Sequence, residues 1–276
     1  KKAEQWFRSA TTNDEKILAL EQMLSIVPKH KGTDHLRADL RRKLSKLRDD
    51  GPQKDHSAHV DIFHVPRSGA GQIVLLGTPN CGKSSIVGAL TKAKVKIAAF
   101  PYSTHAPCPG MVKYEDIKIE LVDMPPITAD HIAPGQVGTY RHCDLIGIVI
   151  DLDDDIDGQW RTCIDFLESR KLIASEETPT ADAQGNRMAK KVFCLGSKVD
   201  LVEPGFLGLL ADSSPYDMTF LELSVETGVG MDSLPKALFG LLEIIRVYSK
   251  PPGKAVDMTD PFTLPMGSTV QDLART

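Results

Sequence analysis

What the chain lacks narrows its function before any motif is considered. No apolar run approaches the ~20 residues that span a bilayer, and no signal-peptide stretch follows Lys1-Lys2-Ala3-Glu4, so no membrane role is expected. There is no Cys-x-x-Cys pair. The five cysteines, Cys81, Cys108, Cys143, Cys163 and Cys194, are odd in number and widely spaced, which points to free thiols in a reducing, cytoplasmic setting, not a disulfide frame or zinc site. The chain also lacks a basic excess. A net charge of -4 over 276 residues argues against a wholly basic nucleic-acid binder, no DNA sequence reading is expected, and only local patches remain to be considered. No internal repeat is visible.

What is present divides into four stretches. Residues 1–50 read as a helical hairpin. Ile17, Leu18, Leu20, Met23, Leu24 and Val27 mark a first helix ended by Pro28. Leu36, Leu40, Leu44 and Leu47 mark a second, capped by Thr33 or Asp34 and stopped by Gly51-Pro52. Residues 51–70, with several His, two Pro and two Gly, read as a linker. Residues 71–246 alternate β-branched runs (73–76, 117–122, 145–152, 192–195, 220–223) with helical stretches near 84–92, 158–171, 205–211 and 231–245. That alternation predicts an α/β fold, a mostly parallel sheet covered by helices on both faces. Residues 174–190 read as a polar surface loop. Residues 247–276, rich in Pro, read as the start of a small β-rich module, too short for an independent domain.

The chemistry sits at the ends of those runs. Gly77-Thr-Pro-Asn-Cys-Gly-Lys-Ser84 matches Gly-x-x-x-x-Gly-Lys-Ser directly after a strand and before a helix. Such a turn aims the backbone N–H groups of residues such as Asn80, Cys81, Gly82 and Ser85 at phosphates, at the positive end of the helix. Lys83 is expected to contact the β/γ-phosphates, and the Ser84 hydroxyl to bind Mg²⁺. Gly196-Ser197-Lys198-Val199-Asp200 stands where GTPases carry Asn-Lys-x-Asp. The Asp200 carboxylate suits guanine N1 and the 2-amino group, and Lys198 would lie along the base. Ser224-Val225-Glu226 resembles the Ser-Ala-x base loop, whose backbone N–H reads guanine O6. Asp123, ending the run 117–122, fits the carboxylate that holds Mg²⁺ through water, and Thr104 is the candidate switch I hydroxyl. Cys81 at a helix start has either a backbone role or, less in keeping with P-loops, a redox one.

At Phe100-Pro-Tyr-Ser-Thr104, with Pro107 and Gly110 following, the sequence resembles the Obg/DRG family of P-loop GTPases, the DRG branch most closely. Further likeness lies in Lys31-Gly-Thr-Asp-His-Leu and Leu44-Ser-Lys-Leu-Arg48, and in Ile245-Arg-Val-Tyr-Ser-Lys-Pro251, which resembles the opening of a TGS domain. The resemblance implies GTP and GDP binding, slow GTP hydrolysis and association with ribosomes or another RNA-containing partner. Lys83, Thr104 and Asn80 are then the candidate catalytic residues, with Ser84, Thr104 and Asp123 around Mg²⁺. Asn80 also resembles the P-loop Asn of cation-dependent GTPases, where it helps bind K⁺; shaping the turn is the alternative. Three departures stand out: Pro126 replaces the switch II glycine, Ser197 replaces the base-motif Asn, and Val225 replaces Ala. Ile127 fills the slot where Ras-like proteins carry a water-orienting Gln.

Two charged clusters remain. Residues 29–48 hold Lys29, Lys31, Lys43, Lys46, Arg37, Arg41, Arg42 and Arg48 against Asp34 and Asp39, a local +6. That suits either a solvated helix face or contact with RNA phosphates, and the absence of aromatics would limit recognition to backbone and shape. Asp151, Asp153, Asp154, Asp155 and Asp157 lack the Gly and terminal Glu of a calcium loop in register and read as a solvated loop.

Overall fold

The computed structural model describes residues 6–7, 13–27, 33–49, 62–91, 106–128, 132, 135–174, 189–203, 205–250, 253, 256, 258–259 and 261–275. Pro28, residues 51–61, the Phe100–Thr104 segment and residues 175–188 lie outside them. The chain forms two compact units, Lys1–Val60 and Asp61–Thr276.

The first unit is a helical hairpin, α1 (Asn13–Ile26) and α2 (Asp34–Asp49). Ala19, Leu20 and Leu40 are buried between the helices. Arg37 crosses from α2 to donate to the carbonyls of Leu24, at 3.0 Å, and Val27. A helix leaves its last carbonyls without internal partners, so this guanidinium closes the end of α1.

The second unit is a three-layer α/β domain. Its strands are β1 (Gln72–Leu76), β2 (Cys108–Tyr114), β3 (Ile117–Asp123), β4 (Leu145–Asp151), β5 (Lys191–Ser197) and β6 (Thr219–Glu222), in the order β2-β3-β1-β4-β5-β6. All pairs are parallel except β2–β3. The helices are α3 (Lys83–Leu90), α4 (Gln136–His142), α5 (Ile156–Ser169), α6 (Phe206–Ser213) and α7 (Leu234–Leu242). Strand alternation sends Val74, Leu76, Ile146, Ile148 and Ile150 to one face, against Tyr140, Cys163, Phe166 and Leu207. Ile73, Leu75, Val149, Phe193 and Leu195 face Ile86, Val87, Leu234 and Leu238 on the other. Each such aliphatic side chain taken fully out of water contributes roughly 1.5–3 kcal/mol before conformational entropy is counted.

Three segments add to or differ from the sequence reading. Residues 62–70 are not linker but a strap on the domain. Phe63 is buried in the core, its carbonyl accepts from Thr139 Oγ1, and Ala70 N donates to Lys118 O at 2.8 Å. Arg67 fastens the strap to Asp144 at 2.9 Å. Strand β2 was not expected, because Pro109 and Gly110 lie within it; as the sheet's edge strand it tolerates a residue without N–H. At the C-terminal end, β7 (Ile244–Val247) pairs antiparallel with β8 (Phe262–Pro265), followed by a short α8 (Val270–Leu273). Glu243, between α7 and β7, leaves the helix in the left-handed region with φ 51. Arg246 fixes β7 to the β2–β3 turn: it pairs with Glu115 and Asp116 and lies over the rings of Phe239, at 4.9 Å, and Tyr114, at 5.7 Å.

Candidate nucleotide site

Strand β1 has β3 on one side and β4 on the other, so the chain's path diverges at its C-terminal end. Such a switch point opens a crevice outside the strand ends, where open α/β sheets bind ligands. The residues after β1 are the Gly77–Ser84 turn. A Cβ on Gly77 would lie 2.6 Å from Cys81 Sγ and 2.7 Å from the Val149 carbonyl. Gly82, at φ 98, turns the chain into α3 in a conformation that L side chains rarely adopt. Asn80 is also left-handed, at φ 66, and exposed, whereas Cys81 is buried.

Lys83 is 95% removed from solvent, and its ammonium is held inside the turn. It donates to the carbonyls of Gly77 at 3.0 Å and Thr78 at 2.8 Å, and lies 3.4 Å from Cys81 Sγ. Its three N–H donors meet three partners, which offsets part of the cost of taking the cation out of water. One residue on, Ser84 Oγ donates to Asp123 Oδ2 at 2.6 Å, joining the start of α3 to the end of β3. Residues 39 positions apart thus place a hydroxyl and a buried carboxylate together beside the P-loop. Among the described residues no group of three or more His, Cys, Asp or Glu gathers into a metal cage. A hydroxyl and one carboxylate fit a hard divalent cation that completes its shell from phosphate oxygens and water, the way Mg²⁺ is bound.

The base-side residues lie at the ends of β5 and β6. Ser197 is buried, and its hydroxyl lies 2.7 Å from the Cys81 carbonyl and 3.1 Å from the Ile150 carbonyl. It has one proton for two acceptors, and it ties the P-loop to β4. Lys198 is left-handed at φ 59 and leads into a 3-10 turn, Val199–Leu201, on which Asp200 is exposed. Ser224 is buried, and its Oγ accepts from Thr227 N at 3.1 Å; Val225 is exposed. Val199 N donates to Leu223 O at 3.3 Å, so the two base-side loops are joined. Ser85 lies in the first turn of α3. Thr104 lies outside the described residues.

The acidic run departs from its sequence reading at one residue. Asp153, Asp154 and Asp155 are exposed, but Asp151 is buried and forms an ion pair with Lys198. Sequence reasoning also passed over Gln159, whose amide brackets Asp151. Gln159 Oε1 accepts from Asp151 N at 2.9 Å and from Thr78 Oγ1 at 3.3 Å, while Nε2 donates to the Asp151 carbonyl at 3.0 Å. The available signal was register. Asp151 ends β4 directly opposite Ser197, next to the base-motif lysine.

In switch II, Asp123-Met-Pro-Pro-Ile127 runs inward. Met124 and Ile127 are buried, so Ile127 meets core, not solvent. Its N–H donates to the Gly77 carbonyl at 3.1 Å, and Gln136 Nε2 donates to the Pro125 carbonyl at 2.7 Å. Tyr140, wholly buried, holds its hydroxyl 3.3 Å from the Leu75 carbonyl, and burial pushes its ionisation well above the usual phenol range.

Residues 72–177 match the sequence profile of the 50S ribosome-binding GTPase family. The chain is 25% identical to a GTP-binding protein of Halobacterium salinarum, covering 94% of this chain and 86% of that one. It is 25% identical to developmentally-regulated G-protein 2 of Arabidopsis thaliana, covering 94% and 79%. It is 24% identical to ribosome-interacting GTPase 1 of Saccharomyces cerevisiae, covering 92% and 85%.

Proposed function

We propose that this chain, whose relatives are GTP-binding proteins of the DRG kind, is a P-loop GTPase that binds GTP and GDP with Mg²⁺, hydrolyses GTP slowly and acts as a cytoplasmic switch on the ribosome or another RNA-containing partner. The observation that carries the proposal is convergence. The P-loop, the Ser84–Asp123 pair and both base-side loops stand at one end of one mostly parallel sheet.

In this reading the backbone N–H groups of Asn80, Cys81, Gly82, Ser84 and Ser85 and the Lys83 ammonium take the phosphates. Lys83 would exchange its carbonyl partners for phosphate oxygens. Ser84, Asp123 and Thr104 hold Mg²⁺, which when bound neutralises charge on the phosphate oxygens. Lys198 lies along the base, Asp200 accepts from guanine N1 and the 2-amino group, and the backbone at Ser224-Val225 reads O6. Asp200→Asn is expected to lose guanine preference and gain xanthine binding, because an amide offers a donor where xanthine presents oxygen. Equal affinity of the wild-type chain for ATP and GTP would end the GTPase reading. The basic hairpin, residues 29–48, is the proposed RNA contact. The strands β7 and β8 are proposed to open a TGS module.

A second reading has its own observation. Pro126 has no N–H to give a γ-phosphate, and Ile127 is buried with its N–H engaged. These favour an interaction module with little turnover. Single-turnover hydrolysis of bound GTP, with and without ribosomes, separates the two. Ribosome-stimulated release of phosphate supports the switch; no hydrolysis in either condition leaves the interaction module.

A further inference from the structure

We propose that Asp151 is the positioning residue for the base-side lysine, so that the P-loop, the end of β4 and the base loop bind nucleotide as one preorganised unit. The inference rests on the proposed guanine-nucleotide site and adds to it a residue outside every nucleotide motif.

The Asp151 carboxylate is buried, yet both oxygens are engaged. Oδ1 accepts from Asp153 N at 3.0 Å, and Oδ2 takes the Lys198 ammonium. A buried carboxylate is costly unless paired and hydrogen-bonded, so the pair holds this end of β4 in one arrangement. The main chain of Asp151 is equally constrained, since the Gln159 amide takes both its N–H and its carbonyl. The same Gln159 oxygen reaches Thr78 in the P-loop, and Ser197 joins the P-loop to Ile150. Asp151 is thus fixed from three sides, and it presents a fixed anion to a flexible side chain.

Lys198 is the side chain that profits. A lysine carries four rotatable bonds and loses side-chain entropy whenever it is ordered on a ligand. Here its head group is anchored at Asp151 while the side chain remains 40% exposed, and the backbone beneath is turned into the left-handed region, φ 59. The methylene stem is then laid out before any base arrives. Preorganisation of this kind raises affinity by removing an ordering cost from the binding step. It acts through packing along the base, not by reading its edge. It therefore supports every nucleotide that the stem touches and leaves guanine selection to Asp200.

The test is a double-mutant cycle on the full chain, read as the dissociation rate of a fluorescent GDP. Asp151→Asn keeps the shape and removes the charge; Lys198→Met keeps the stem and removes the ammonium. Each single change is expected to speed dissociation by about tenfold, the size of one charge-assisted hydrogen bond in a half-exposed pair. The double variant should be no faster than the singles, because the two changes delete one interaction. The ratio of GDP to IDP affinity should be unchanged in Asp151→Asn, since the 2-amino group answers to Asp200. Asp153→Asn, on the exposed loop, serves as a control and should match wild type. Wild-type dissociation from Asp151→Asn, or losses that multiply in the double variant, would overturn the proposal. Failure of the wild-type chain to bind GDP at all would instead remove the parent reading, and this one with it.

Discussion

Asn80 stands exposed in the P-loop at φ 66, and that conformation by itself gives an asparagine a reason to be there, since its short amide tolerates the left-handed region. The cation reading needs more, namely that the amide oxygen helps hold K⁺ near the phosphates and supplies positive charge where an arginine finger does elsewhere. Two substitutions separate these. Asn80→Gly keeps the turn and deletes the amide, whereas Asn80→Ala deletes the amide and strains the turn by about 1–2 kcal/mol. If the amide holds K⁺, wild-type turnover is faster in K⁺ than in Na⁺, and the difference vanishes in the glycine variant while GDP affinity stays. Turnover that is equal in both salts for the wild type, or K⁺ stimulation surviving in Asn80→Gly, returns Asn80 to shaping the turn. Ser197 makes a related point about a single side chain. It fills an asparagine's place, yet its one hydroxyl proton is committed to the carbonyls of Cys81 and Ile150, so its contribution to the site is to fasten the P-loop.

Among elements, switch II departs most from a nucleotide-sensing loop. In Asp-x-x-Gly proteins the glycine N–H donates to the γ-phosphate, and the segment is ordered by GTP and released with GDP. Here Pro126 has no N–H, and the next donor, Ile127, is already given to the Gly77 carbonyl. Pro126→Gly should restore a donor, widen the GTP/GDP affinity ratio by about tenfold or more, and increase GTP-dependent hydrogen-exchange protection over residues 124–138. A glycine variant indistinguishable from wild type, with switch II fully ordered by a GTP analogue in both, would mean that another N–H serves the phosphate. The clamp between β7 and the β2–β3 turn carries a pH prediction. The Tyr248 hydroxyl, then the Arg246 guanidinium, hold the Asp116 carboxyl below its ordinary range. A carboxylate stabilised in the folded state contributes above its unfolded pKa and loses that contribution as pH falls through the folded one. Amide protection in β7 should therefore persist from neutral pH down to the ordinary aspartate value of 3.8 and fall only below it. Loss of protection nearer pH 6 would show that another group holds the hairpin. These elements also mark what the sequence made legible. The parallel strands were visible because buried-on-both-faces strands read as continuous β-branched runs, as in Leu145–Asp151. The P-loop and base loops were visible because fixed spacings follow such runs. Strand β2 and the strap 62–70 were hidden, the first behind Pro109 and Gly110, the second because Phe63 alone signals its burial. Asp151 was masked by its acidic neighbours, since composition cannot tell the buried carboxylate that meets the lysine following β5 from the exposed ones beside it.

At the scale of the molecule, charge is unevenly distributed. The whole chain carries -4 and residues 29–48 carry +6, so the remainder carries -4 - 6 = -10. A body with that balance is repelled by nucleic acid on average, and the proposed RNA contact through the hairpin would place the phosphates against the local +6. The hairpin's cations are not equivalent, however. Arg37 is half-buried and caps the carbonyls of Leu24 and Val27, whereas Arg41, Arg42 and Lys43 are exposed on α2, with Arg42 only loosely paired to Asp39 at 3.4 Å. Two kinds of loss are therefore expected. Changing Arg41, Arg42 and Lys43 together to Glu should weaken ribosome association and lower the slope of log affinity against log salt by about two to three, since each released counterion contributes roughly 0.7–0.9. Glutamate is nearly as good a helix former as the residues it replaces, so the hairpin should persist and GTP binding should be unchanged. Arg37→Ala should do the reverse, reducing the thermal stability of the hairpin by uncapping α1 while leaving the salt slope within about one unit of wild type. Undiminished ribosome binding after the triple reversal would return α2 to a solvated surface. Equal salt slopes in the two variants would show that the loss of binding came from unfolding of the hairpin, not from loss of phosphate contacts.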